Sequence, residues 1–461
     1  MNLWAEFENE QLLAESARRV QKQRSPQGRR LTEQAVLSSL RDWLLHDYVA
    51  SYCRSLAATR IYRRCYWIDG LGSNTRVQRE AAESVMNGER GASISSFELP
   101  YFLDDVVITG NSSTSGDTSK KGRKKDAPQG GQAVSTMLRP VVALSQELAQ
   151  GNKPITLHGI VLEAGSSKRN EERIVEDASV GRRSGFSLPK ESGTVRASWL
   201  EIGSTLLSFI DQSPAIFLLN PFGQTLFTYD DLAPLYTRTA PTELCLLISH
   251  KQLETRVIPS LRASAGVALT ALLRSDRWKA LVKKDEEVEQ FIDGIIDLLI
   301  ASMQGHFLSV QRVAVPVQVR PAVVEMAPYT LVFATRRQDS LASMNDAVCL
   351  YRRRLYEQSL RGVLIEDWFA RQQQDRLDEQ VQQLYARTLQ QGRSQRTRHW
   401  LDLRQQLLLA NFGQFTLHDY DEVVRKLLLS GEVRCEWRQR PALADNTEDR
   451  VPGNEDTLLW K

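Results

Sequence analysis

The sequence predicts an α/β protein: a doubly wound sheet followed by a small C-terminal winged helix. Three observations predict it. Short β-branched and aromatic runs alternate with stretches of helical period, as βαβ units do. One of these runs, SPAIFLLNPFGQ, is continuously apolar, as a parallel strand buried on both faces requires. Beyond residue 391 the pattern becomes helix, helix and two strands around a polar turn.

A chain of 461 residues exceeds the usual span of one hydrophobic core, so at least two domains are expected. A formal net charge of +3 is too near zero to single out nucleic acid as a partner on charge alone. The first residues, MNLWAEFENEQLLAESARRVQKQ, lack the apolar core of a signal peptide. No stretch is apolar for long enough to span a bilayer. The expectation is a cytoplasmic protein with no membrane partner. Cys53, Cys65, Cys245, Cys349 and Cys435 are odd in number and scattered, which fits a reducing compartment and reads as small buried apolar side chains. The six histidines do not cluster with them, so no metal site is expected.

Residues 1–31 are read as an N-terminal helical arm. From Thr32 a helix is expected, with Leu37, Leu40, Leu44, Tyr48 and Tyr52 at intervals of three or four. RRCYWIDGLGSN is a strand and a tight turn. Residues 110–132 are rich in Ser, Gly and Lys and poor in large apolar side chains, so a disordered insertion is predicted there. KPITLHGIVLEAG is a second strand, 166–191 a polar loop and TVRASWLEIG a third strand. SPAIFLLNPFGQ and TELCLLISH are the fourth and fifth. Helical pattern then runs from Ala265 to His306, followed by strands in VAVPVQVRP and YTLVFATRR and a helix in MNDAVCLYRRRLYEQ. The sheet domain is thus read as 32–360, with a helical connector over 361–390. The winged helix occupies 391–461: two helices, the second starting at Thr416 and stopping at Gly431, and strands in EVRCEWRQR and DTLLWK.

Three places in this pattern could carry chemistry. Asp69, Gly70 and Gly72 stand where the first strand ends, and glycines there let backbone amides approach a ligand; a plain turn is the competing reading. Glu163, at the end of the second strand, is of the type that accepts hydrogen bonds from ribose hydroxyls, and Glu201 is a weaker candidate for the adenine end. A solvated strand-end carboxylate is the alternative for both. Asn220, Pro221 and Phe222 end the buried fourth strand. They partly match the (Asp/Asn)-Pro-Pro-(Tyr/Phe) motif, in which the amide and a proline-linked carbonyl hold a target amine and the ring stacks on a flipped base. A strand ended by proline explains the same residues.

Taken in order, the first helix, IDGLGS, FLLNPFG, TELCLLISH and YTLVFATRRQDSLASMNDAV resemble the three-Cys-motif partner protein family, from about Thr32 to the end. The resemblance implies a Rossmann-type, methyltransferase-like sheet domain, S-adenosylmethionine (AdoMet) as cofactor, and a C-terminal winged helix. It implies as partner a separate protein with a three-cysteine, radical-AdoMet-like motif, or another subunit of a defence complex. Carried over by position, Asp69, Gly70, Gly72 and Glu163 would line the AdoMet site and Asn220 to Phe222 the acceptor side. Where the family reads D-G-F-A-G-P-G this chain has DGLGSNT, with Ser73 and Thr75 replacing glycines. Where the family reads Asp-Pro-Tyr-Gly this chain has Asn220, Pro221, Phe222 and Gly223.

Two functions follow as expectations. One is AdoMet-dependent methyl transfer to a nucleobase amine in nucleic-acid modification or anti-phage defence. The other is a catalytically inactive scaffold that binds a protein partner, DNA or RNA. Asp419, Asp421 and Glu422 on the last helix would repel phosphates if they faced a groove, which tilts the winged helix toward protein contacts.

Overall fold

The computed structural model describes residues 33–71, 136–163, 192–223, 225–254, 264–281, 288–320, 323–360, 366–438 and 450–461. The expected arm over 1–31, the insertion at 110–132, the polar loop at 166–191 and Gly72 lie outside them.

The first helix is one rod in three parts. Helix α1 (Glu33–Trp43) passes into a π-helical turn (Leu44–Val49) and then α2 (Ala50–Thr59). Arg60, at φ 59°, ends it. Strand β1 (Arg64–Asp69) follows, then α3 (Arg139–Gln150), β2 (Thr156–Leu162) and β3 (Gly193–Val195). Next come α4 (Trp199–Ile210), β4 (Ala215–Leu219), α5 (Tyr229–Thr237) and β5 (Thr242–Ser249). After β5 lie one helical turn (His250–Gln252), α6 (Ser264–Leu273), α7 (Val288–Met303) and the strands β6 (Ser309–Arg320) and β7 (Val323–Thr335).

These strands form one seven-stranded sheet in the order β3-β2-β1-β4-β5-β7-β6. The first five are parallel, and β7 runs antiparallel to both β5 and β6. Too few residues separate β6 from β7 for a parallel crossover, so the pair returns as a hairpin. All five residues of β4 are buried, as expected of a central parallel strand. Alternate side chains divide the core between the two faces. Tyr66, Ile68, Phe217 and Leu219 pack with α4, α5, α6 and α7. Cys65, Trp67, Ile216 and Leu218 pack with α1, α2, α3 and helix α8 (Gln338–Leu360). The result is a three-layer α/β/α domain.

The third strand is shorter than the sequence suggested. TVRASWLEIG turns from strand to helix at Ser198, because Ser-Trp-Leu-Glu is a capping box: the Ser198 and Glu201 side chains satisfy each other's backbone N–H groups.

Beyond α8, α9 (Glu366–Gln395) leads to α10 (Trp400–Ala410), α11 (Leu417–Leu429) and the antiparallel pair β8 (Val433–Glu436) and β9 (Thr457–Trp460). The expected boundary near 391 falls inside α9. Thr416 caps α11 and Gly431, at φ 72°, follows its end, where the sequence placed start and stop. The acidic side chains of α11 are used internally. Asp419 completes the cap on Thr416 and pairs with Arg353 at 2.5 Å. Asp421 accepts from Arg404 at 2.9 Å and from the Trp400 indole at 3.0 Å. Glu422 pairs with Arg425.

Gly392 lies in α9 where the Trp460 indole crosses it, and an added Cβ would come within 2.5 Å of that ring. Trp460 also donates to the Thr397 carbonyl at 2.7 Å. Gly392→Val is therefore expected to dislodge β9 and cost about 1–3 kcal/mol. Urea unfolding of the variant checks this; unchanged or slightly higher stability, as valine's better helix propensity than glycine's would give by itself, would refute it.

Candidate functional site

The carboxyl ends of β1, β2, β4 and β5 share one edge of the sheet, where open α/β sheets bind ligands. Asp69 ends β1 and is only 2% exposed. Arg41 of α1 donates to it twice, from Nε to Oδ2 at 2.6 Å and from Nη2 to Oδ1 at 3.3 Å. The Leu71 N–H donates to Oδ1 at 3.0 Å and folds the turn back on the carboxylate. A buried charge needs such partners, and here protein groups supply three.

Gly70 continues the ladder, its N–H donating to the Leu218 carbonyl at 2.8 Å. A Cβ there would meet Leu219 Cδ2 at 2.5 Å, so any larger residue would have to displace the buried Leu219 side chain. Asp69 faces Leu218 in the register, so the turns after β1 and β4 are neighbours. Glu163 directly follows β2, and its N–H donates to the Val195 carbonyl at 2.9 Å. Asp69 is paired in register with Val161, which sets the two carboxylate-bearing strand ends side by side.

The fourth-strand motif is closed on itself. Asn220 Oδ1 accepts the Phe222 N–H at 3.0 Å, and its Nδ2 donates to Gln252 Oε1 at 2.9 Å. The Pro221 carbonyl accepts the Phe227 N–H at 2.9 Å. The Phe222 ring is 0% exposed and belongs to the core beneath the sheet. The ring packs here as a core side chain. Asn220 makes an Asx turn, the local role its residue type favours. The placement of Glu201 is corrected. It stands in the first turn of α4, not at a strand end, and its carboxylate accepts from Ser198 N at 2.6 Å and Oγ at 2.8 Å.

Sequence reasoning missed Arg41, Gln252 and His250. His250 follows β5 at the same edge, and its Nε2 lies 2.9 Å from Thr330 Oγ1. Burial holds its pKa below the ordinary histidine value, with Arg312 adding to the effect. The signal was the histidine ending TELCLLISH, at a strand's carboxyl end. Arg41 carried no local signal, because its partner lies on another element.

The most perturbed carboxyl is at the opposite edge. Glu243, near the start of β5, is fully buried, and burial raises its pKa to about 7. Tyr48 donates to it at 3.1 Å and Ser340 at 3.2 Å, with Thr335 also bonded. Perturbed carboxyls often mark active sites, but this one is enclosed by helix and sheet at the amino edge and reads as structural. No helix among the described residues is long and apolar enough to cross a membrane. Comparison with family models finds none that matches, and neither a curated protein nor a solved structure matches this chain.

Proposed function

We propose that this chain is an AdoMet-binding protein of the methyltransferase kind, working with a partner protein in nucleic-acid modification or anti-phage defence. The observation that carries the reading is the strand order β3-β2-β1-β4-β5-β7-β6 with β7 antiparallel. Dinucleotide-binding sheets have the order 3-2-1-4-5-6, and this sheet shares its 3-2-1-4-5 part, which supports a nucleotide-type cofactor at the carboxyl edge. Asp69 and Glu163 then stand at neighbouring strand ends on the cofactor side, Glu163 placed to accept from ribose hydroxyls and Asp69 shaping the turn, since Arg41 and the Leu71 N–H already hold its carboxylate. Methyl transfer from a sulfonium needs in-line placement of donor and nucleophile more than acid–base power. The three-cysteine, radical-AdoMet-like partner remains part of this proposal.

A second reading is favoured by one observation. The Asn220 amide, the Pro221 carbonyl and the Phe222 ring are all engaged within the protein. A chain that binds AdoMet without presenting these groups to an amine would act as a scaffold.

Titration calorimetry with AdoMet tests the shared premise, and Glu163→Ala should weaken binding about tenfold, the worth of about one charge-assisted hydrogen bond. Absence of binding heat at high protein concentration would end the cofactor reading. Binding without methylation of single- or double-stranded nucleic acid in the partner's presence would favour the scaffold.

A further inference from the structure

A basic, partly apolar depression lies in the C-terminal elements, away from the sheet edge. It is a pocket of about 540 Å³ between the end of α11 and β8. Four cationic side chains line it: Arg425, Arg434, Arg450 and Lys461. Leu429 and Trp437 give it an apolar wall, and Leu429 is among the exposed large apolar side chains. The Arg450 guanidinium lies 4.2 Å from the centre of the Trp437 ring, so charge and aromatic surface are joined. Among the described residues, no acidic side chain lines the pocket. Glu422 engages Arg425 and Glu432 engages Arg393, while Glu436 is on β8 but does not line the pocket.

We infer that this pocket binds a nucleotide unit of a single-stranded nucleic acid, with the phosphate on the cations and the base against Trp437 and Leu429. The chemistry decides among anionic ligands. Cations alone would suit any polyanion, but the apolar wall adds a surface on which a base can stack. An aromatic ring at the surface suits an unpaired base, whose face is free to stack, whereas a duplex keeps its bases stacked on one another. Asp419 and Asp421 do not oppose this placement, because they are bound to Arg353 and Arg404, while Glu422 offsets one of the four cations by pairing with Arg425. The inference does not depend on cofactor binding, since the pocket shares no residue with the sheet edge.

The test uses the full chain and fluorescence anisotropy of a labelled oligothymidylate of about twelve nucleotides. Wild-type protein should bind, with affinity falling steeply as salt rises. Trp437→Ala and the exposed-site variant Arg434→Glu should each weaken binding about tenfold or more. Arg434→Glu removes no buried group, so its effect reads out the site and not the fold; AdoMet titration of both variants should match wild type. AMP competing at similar concentration would identify a free nucleotide as the source, and AMP competing only in large excess would identify the strand. The first result would overturn the strand as the occupant, and the second is the result expected. Equal binding by both variants, no binding at low salt, tighter binding of duplex, or equal competition by polyglutamate would overturn it.

Discussion

Asn345→Ala is expected to cost about 3–4 kcal/mol and to loosen the C-terminal elements from the sheet domain. Asn345 is 0% exposed on α8. Its Nδ2 donates to the Phe415 carbonyl at 2.8 Å, and its Oδ1 accepts the Gly413 N–H at 2.9 Å. The adjacent Asp346 accepts the Leu417 N–H at 2.8 Å, at the start of α11. Together they hold the link between α10 and α11. Gly413 makes the link possible, because it sits at φ 72° with Val348 close behind it. Alanine would leave a buried donor and a buried acceptor without partners, each costing about 1–3 kcal/mol. Urea unfolding measures the loss, and limited proteolysis between Asn411 and Leu417 should speed up. A loss under about 1 kcal/mol, with cleavage unchanged, would show that the link does not depend on Asn345.

The second large effect is on pH dependence. Burial raises Glu243 from 4.5 to about 7, so the folded protein holds a proton that the unfolded chain has released. The associated stability is complete below 4.5 and is lost as pH rises through about 7. The full loss is about 3 kcal/mol. Wild-type protein should therefore melt at a lower temperature at pH ~8.5 than at pH ~5.5. Glu243→Gln keeps the size and the hydroxyl partners without the charge. It should flatten that slope and exceed wild type at the upper pH. Parallel melting curves for the two proteins would show that Glu243 titrates as an ordinary glutamate.

Much of the fold was legible because periodicity and punctuation agree. The all-apolar β4, the Thr416 start and the Gly431 stop each rest on local chemistry that tertiary contacts do not override. TVRASWLEIG misled because Trp, Leu and Ile suit strand and helix alike, and the Ser198–Glu201 capping box decided between them. The site was half legible. Strand ends locate Asp69, Glu163 and Asn220, since the sheet's connectivity fixes its edge. What those side chains touch was not legible. Arg41 on Asp69 and Gln252 on Asn220 are separated from their partners by 28 and 32 residues, and no pattern along the chain encodes such pairings. Asn-Pro-Phe looked like a site because proline and an aromatic at a strand end serve equally for binding and for closing a turn. The 0% exposure of Phe222 shows the turn-closing role.

The Arg41–Asp69 pair also bears on where the folding unit begins. A version starting at β1 would remove the guanidinium that donates twice to the Asp69 carboxylate, leaving it the Leu71 N–H of the three donors described. The opening helix is thus an integral wall of the sheet domain. Trimming it would remove a charge partner and an apolar wall together.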